Sequence, residues 1–241
     1  MIFANQIGII ADDLTGANDT ALQFQKRGAI TQILLDYNNI GQTSTDMCVW
    51  ATSTESRNIP PEEAVEKVKN AVMATKGMVL MYNNNYIDAV YHSTSNGMTE
   101  DALYIWGYDI PYLKSVESKT DINVSSYKKE VTFTLEKLST ILNTTITKDT
   151  TFILERNSSG RVSNVKVNDL EIKGTTFRTL LNLRSTDFVI ELNEETAKIT
   201  TYGYGHGVGM SQYGANGMAN KGYTFRDILN HYYQNTSIKN I

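Results

Sequence analysis

Glycines at 203, 205, 207, 209 and 214 surround a single histidine, His206, in a segment that continues through Ser211, Gln212 and Tyr213 into a run of small residues. Glycine loses more backbone freedom on folding than any other residue. Such a density is costly unless the chain must adopt positive φ or approach another group closely. The segment therefore predicts a tightly shaped loop ahead of a helix. Its His, Ser and Gln side chains make it a candidate site.

The rest of the chain bounds what that site can serve. At 241 residues it holds one large domain or two small ones, with enough length for a real core. A net charge of −4 provides no basic surplus for nucleic acid. No apolar run approaches the roughly 18 residues of a membrane span. The opening residues Met1 to Gln6 lack a basic segment followed by a long apolar one. No export signal is expected from them, and the chain as written is expected in the cytoplasm. Cys48 is the only cysteine, so no internal disulfide or cysteine-based metal cluster is expected. Neither a metal nor a cofactor is predicted.

At the N-terminal end, the apolar run 7–10 precedes Asp12-Asp13-Leu14-Thr15-Gly16-Ala17. A helical pattern over 18–27 stops at Gly28, and a second apolar run covers 31–35. Strand, loop, helix and strand in this order predict a βαβ unit of a parallel sheet, with Asp12 and Asp13 at the carboxyl end of the first strand. Carboxylates there suit helix capping, metal binding or a hydroxylated substrate. The wording from Ile7 to Asp19, together with Trp50-Ala51-Thr52-Ser53-Thr54-Glu55-Ser56-Arg57, resembles the four-carbon acid sugar kinase family over about residues 7–69. The resemblance implies that Asp12, Asp13, Thr15 and Gly16 belong to a loop that holds a sugar acid. That family also needs a large glycine-rich ATP domain, for which the sequence shows no counterpart, so kinase activity is not expected. Pro60-Pro61-Glu62-Glu63 opens a further helix, with Val65, Val68, Val72 and Met73 at helical spacing and Gly77 at its end.

Beyond that helix the periodicity changes. Strands are predicted at 79–82 and 86–92 around Asn83-Asn84-Asn85, then at 130–135, 151–156, 161–167, 187–191 and 197–202. Helices are predicted weakly at 125–129, then at 135–142, 175–181, 211–221 and 224–233. The fold class is α+β: a β-rich domain preceded by a short βαβ fragment, with the division at 1–69 and 70–241. Several ordered stretches of the second part resemble the stage II sporulation protein D and amidase enhancer family. They are Val72 to Leu80, Ile87 to Glu100, Pro111 to Ser118, Ser159-Gly160-Arg161-Val162, Phe177 to Leu181, Leu183 to Thr186 and the glycine segment itself.

That resemblance implies a lytic transglycosylase acting on peptidoglycan glycan strands during sporulation, or a module that stimulates other wall hydrolases. Its members work outside the cytoplasmic membrane. Glycan cleavage of this kind needs a carboxyl group kept protonated as general acid, and polar groups to position the sugar. The family's catalytic glutamate lies in a segment reading roughly Ala-Glu-Met-Pro, which does not occur here. The catalytic residue is therefore unknown and loss of cleavage is expected. The zinc-binding Cys/His stretch of some members is also absent. The resemblance places His92, Ser93, Thr94, Ser95, Tyr204, His206, Ser211 and Gln212 along a substrate cleft. A metal shared by His92 and His206 would need a third ligand that the sequence does not name. Glu100 is expected to satisfy neighbouring backbone or hydroxyl groups, Arg161 and Arg178 to brace structure, and His231 to pack. The expected partners are glycan strands and other sporulation wall hydrolases. A non-catalytic wall-binding module and a remnant of an acid sugar kinase remain as alternatives.

Overall fold

The computed structural model describes residues 7–11, 31–34, 49–53, 61–125 and 127–241. The chain forms two compact units, Met1–Met78 with Asn240–Ile241, and Val79–Lys239.

In the first unit, β1 (Ile7–Ala11), β2 (Thr31–Leu34) and β3 (Val49–Ser53) make a sheet with β3 in the centre. Both neighbours run parallel to it, and Ile7 and Thr31 each lie opposite Val49. This is the parallel sheet that the alternation of apolar runs and polar loops predicts. The loop carrying Asp12, Asp13, Thr15 and Gly16, and the helix expected at 18–27, lie outside the described residues. Helix α1 (Pro61–Ala74) starts at the expected proline. Of the apolar residues at helical spacing, Val65 and Val68 are half-buried, while Val72 is 37% and Met73 62% exposed.

Strand β4 (Met78–Tyr82) turns through Asn83 and Asn84, both at positive φ, into β5 (Asn85–Tyr86). Two such residues suit a two-residue hairpin, because their twist matches that of the strands. The strand expected at 86–92 does not continue. After the Ile87 N–H bonds back to the Leu80 carbonyl, the chain leaves that hairpin, and β6 (Tyr91–His92) belongs to a different, two-stranded sheet. The cause is a tertiary contact: the Val90 carbonyl accepts the Met210 N–H at 3.2 Å, so the chain turns toward the glycine segment instead of its hairpin partner. A short helix, α2 (Ala102–Trp106), and a 3-10 turn (Lys119–Asn123) follow.

The helix expected at 125–129 gives way to a turn, in which the Tyr127 N–H donates to the Val124 carbonyl at 3.0 Å, and then to strand. Tyr127 gives its carbonyl to Gly203, and β7 (Lys128–Thr134) is already under way. Pairing decides against local helix preference here, because Lys128 to Thr134 lie opposite Tyr202 to Thr196. Helix α3 (Leu135–Leu142), β8 (Phe152–Arg156), β9 (Val162–Val167) and β10 (Leu170–Lys173) come next. They are followed by α4 (Gly174–Leu180), β11 (Asp187–Leu192) and β12 (Thr196–Tyr202). The chain ends with β13 (Met210–Ser211), α5 (Gln212–Ala219), α6 (Phe225–Tyr232) and β14 (Ser237–Asn240). The architecture is mixed α+β.

Two antiparallel sheets, β10-β9-β8 and β11-β12-β7, enclose the larger core with α3 and α4. Phe177 of α4 stacks on Phe188 of β11, ring centroids 5.1 Å apart, and meets Phe152 of β8 edge-on at 6.4 Å. A second apolar cluster gathers Ala102, Leu113, Val116, Val208, Ile228, Tyr232 and Tyr233. The glycine segment runs from the end of β12 into this second cluster. Among the described residues, no helix is long and apolar enough to cross a membrane.

Candidate functional site

Two stretches far apart in sequence, 91–100 and 203–211, lie side by side. Thr94 and Tyr204 exchange both backbone hydrogen bonds, at 3.0 and 2.7 Å, and the Glu100 N–H donates to the Gly207 carbonyl at 2.8 Å. β13 and β6 pair in parallel, Met210 opposite Tyr91 and Ser211 opposite His92. Approach this close explains the glycines. Gly203, Gly205, Gly207 and Gly209 all have φ between +72° and +115°. A methyl group on Gly209 would lie 2.0 Å from the Val90 carbonyl oxygen, and one on Gly207 2.8 Å from the Arg161 guanidinium.

Val208 orients both histidines. Its carbonyl accepts from His92 Nδ1 at 3.2 Å, and its N–H donates to His206 Nδ1 at 3.0 Å. A carbonyl can only accept and an N–H can only donate, so His92 carries its proton on Nδ1 and His206 leaves Nδ1 bare. The rings are 5.9 Å apart. Burial, with His206 and Arg161 adding positive charge, holds His92 well below the usual histidine range. Burial, reinforced by Arg178, pushes His206 down to about 4, against the opposing effect of a hydrogen bond with the Tyr91 backbone. Both rings are neutral near pH 7. The Nε2 of His92 is buried without a hydrogen-bond partner.

Asp121, fully buried in the 3-10 turn, holds the two stretches together from beneath. One oxygen accepts from the Ser95 N–H at 3.0 Å and from its hydroxyl at 2.5 Å. The other accepts from the Ser211 hydroxyl at 2.8 Å. Ser211 Oγ also accepts from the Gly214 N–H, which caps α5. Ser95 and Ser211 thus spend their hydroxyls inside the protein. Ser93 and Gln212 are half-buried, as is His206, while Tyr204 is exposed with the Arg184 guanidinium 5.0 Å above its ring. His92 and Thr94 are buried.

Beside this assembly is a cavity of about 330 Å³. Glu100 is the only acidic residue in its lining. One of its oxygens accepts from the Asp101 N–H at 2.9 Å, and the other from the Asn157 amide at 2.7 Å and the Ser159 hydroxyl at 2.9 Å. Glu100 does what the sequence expects of it, satisfying its neighbours. Arg161 is equally internal, donating to the Met98 carbonyl at 2.9 Å. Burial lowers its guanidinium from the usual value, while Glu100, Asp187 and Asp121 counter that effect. His231 reaches the Glu117 carbonyl at 2.6 Å and packs edge-on against Tyr232.

None of the eight residues expected to contact substrate lines the cavity. His206 comes nearest, through Trp106, whose ring is 5.8 Å from its own. The sequence reading missed Trp106, Tyr104, Asn157 and Lys173, all in the lining. Only Trp106 carries a local signal, a bulky aromatic just ahead of the helix-stopping Gly107. Among the described residues no group of three His, Cys, Asp or Glu is arranged to hold a metal.

Comparisons with known proteins divide along the chain. The pattern of a family described as a sugar-binding N-terminal domain matches residues 7–91. Stage II sporulation protein D of Bacillus subtilis is 41% identical over 191 residues, covering 78% of this chain and 54% of that protein. Most of the chain is similar to stage II sporulation protein D. The amidase enhancer of Bacillus subtilis is 26% identical over 228 residues, covering 70% of this chain and 32% of that protein. D-threonate kinase of Salmonella typhimurium is 39% identical over 64 residues, 27% of this chain and 15% of the kinase. The chain spans about half the length of stage II sporulation protein D.

Proposed function

We propose that residues 70–241 bind peptidoglycan glycan strands in sporulation-associated wall remodelling, as a form of the lytic transglycosylase domain that has lost strand cleavage. The observation that carries this reading is the similarity to stage II sporulation protein D over 78% of the chain. The state of Glu100 supports the loss of cleavage. To protonate a glycosidic oxygen it would have to give up bonds to Asp101, Asn157 and Ser159. Half-buried Ser93, His206 and Gln212, with exposed Tyr204, are the members of the expected set that retain solvent exposure.

The test is incubation of the purified protein with unmodified glycan strands. Co-sedimentation with the strands and no anhydromuramic ends is the expected result. Anhydromuramic ends would show that a general acid is present. Neither binding nor products would remove the glycan reading altogether.

The similarity to an amidase enhancer favours a second reading, in which the chain stimulates a partner wall hydrolase. Faster release of soluble fragments from cell walls, when the protein is added to a wall amidase, would favour it over simple binding. A remnant of an acid sugar kinase is the third reading, and ATP consumption in the presence of a four-carbon sugar acid is its test.

A further inference from the structure

Helix α2 displays apolar surface that its own fold does not need. Leu103, Tyr104 and Trp106 are 46%, 47% and 36% exposed on a single five-residue helix. The helix is nonetheless held firmly. Asp101 caps its start by accepting the Leu103 N–H at 2.9 Å, and Lys114 pairs with Asp101 at 3.1 Å. Ala102 is fully buried, and Gly107 closes the other end in the left-handed conformation. His206 props the Trp106 ring from one side. Trp106 and Tyr104 both line the cavity.

The remaining lining is mixed, with Leu103, Ile105 and Val162 as apolar wall and polar side chains among them. Ser163, Asn164, Thr175 and Thr186 are its short polar residues, the Ser163 hydroxyl and the Asn164 amide also donating to Glu155. Lys173 is exposed at its edge and has no ion-pair partner among the described residues. Glu100 is already occupied by its neighbours, so Lys173 supplies the free charge. Rigid aromatic surface beside short hydrogen-bonding groups is the composition of a site that fixes an amphipathic ligand. A pyranose ring is such a ligand. Its axial C–H groups cover an aromatic face, while its hydroxyl and acetamido groups project to the rim.

We propose that Trp106 and Tyr104 form the stacking platform of a sugar subsite, and that Lys173 selects for a carboxylate carried on the sugar. The inference rests on the glycan-binding reading above and adds specificity residues to it. A muramyl unit offers a ring face, an acetamido group and a carboxylate; an N-acetylglucosamine unit offers the first two only.

The experiment measures the affinity of the whole chain for two oligosaccharides of equal length, one of N-acetylglucosamine alone and one containing muramyl units with free carboxylates. Trp106→Ala is expected to weaken both by about tenfold, and Trp106→Phe to weaken them less. Lys173→Met is expected to weaken only the muramyl oligomer, by about fivefold, and to remove the salt dependence of the preference. If the unaltered protein binds neither oligomer, the glycan reading itself fails. If it binds both but all three variants match it, the subsite is wrong and the glycan reading stands. Thermal unfolding of each variant separates lost binding from lost fold. Should Trp106→Ala not fold, Tyr104→Ala and Lys173→Met decide the matter.

Discussion

Gly209 shows how much of the candidate site is written in single residues. Its φ of +72° and the Val90 carbonyl 2.0 Å from any added methyl group impose two separate penalties on a side chain. Gly209→Ala is expected to cost about 3 kcal/mol, read as a lower urea midpoint with an unchanged slope. Glycine density made this loop legible in the sequence, because few other pressures concentrate that residue. Asp121 was not legible. Its partners Ser95 and Ser211 are 26 and 90 residues away, and nothing around it marks a buried charge. Asp121→Asn would replace one acceptor oxygen with a donor facing hydroxyl and amide donors. A loss of about 2 kcal/mol in the same denaturant measurement is expected. The histidines predict a pH dependence. Unfolded, both titrate near 6.5; folded, His206 stays neutral down to about 4 and His92 is also held well below its usual value. Between those limits the unfolded state binds more protons, so stability is complete above about pH 6.5 and falls as pH drops toward 4. His206 alone accounts for no more than about 3 kcal/mol of this. Urea midpoints from pH 7 to pH 4.5 should fall less in His206→Gln than in the unaltered chain. Parallel curves would contradict the assignment.

At the scale of elements, alternation and capping did most of the predictive work. The strands expected at 130–135, 161–167, 187–191 and 197–202 lie within a residue or two of β7, β9, β11 and β12. Each sends apolar residues two apart to one core, Val131 and Phe133, Val165 and Val167, Phe188 and Ile190, Ala197 and Ile199, so its period is in the sequence. Several short elements of the second unit escaped, among them β13 and β14. β10 is four residues long, α2 is five, and β13 depends on a partner more than a hundred residues away. Elements so short, or so dependent on tertiary contacts, leave too little local pattern to read. Helix α6 is the opposite case. Thr224 and Asp227 form a reciprocal cap, the Thr224 hydroxyl accepting from the Asp227 N–H while the Asp227 carboxylate accepts from the Thr224 N–H and hydroxyl. The same bonds lower the Asp227 pKa. Thr224→Ala is expected to cost about 1 kcal/mol. If the midpoint does not move, the cap is redundant with the burial of Ile228 and Tyr232 behind it.

For the whole molecule, the change of resemblance along the chain was visible before the structure, but its position was not. Similarity to sugar-binding N-terminal domains reaches residue 91, past the expected limit at 69, and α1 runs unbroken through that limit. A helix followed by an apolar strand fits both resemblances, so this stretch cannot by pattern alone be given to either. Packing gives a sharper division. Both hydrophobic clusters of the second unit draw only on residues from Leu80 onward, among the described residues. Residues 79–241 produced alone are therefore expected to keep a cooperative thermal transition and the far-ultraviolet signature of a mixed α+β fold. They lose the backbone bond from Ile241 to the Gly77 carbonyl and the first residue of β4, the strand beside β14. That bond ties the C-terminal residue to the segment just ahead of β4 and contributes to neither cluster. A fragment that aggregates or melts without a transition would mean that the clusters depend on earlier residues. A fragment that folds and binds glycan strands as the full chain does would assign the proposed activity to the second unit, with the glycine loop, the buried histidines and the aromatic cavity all inside it.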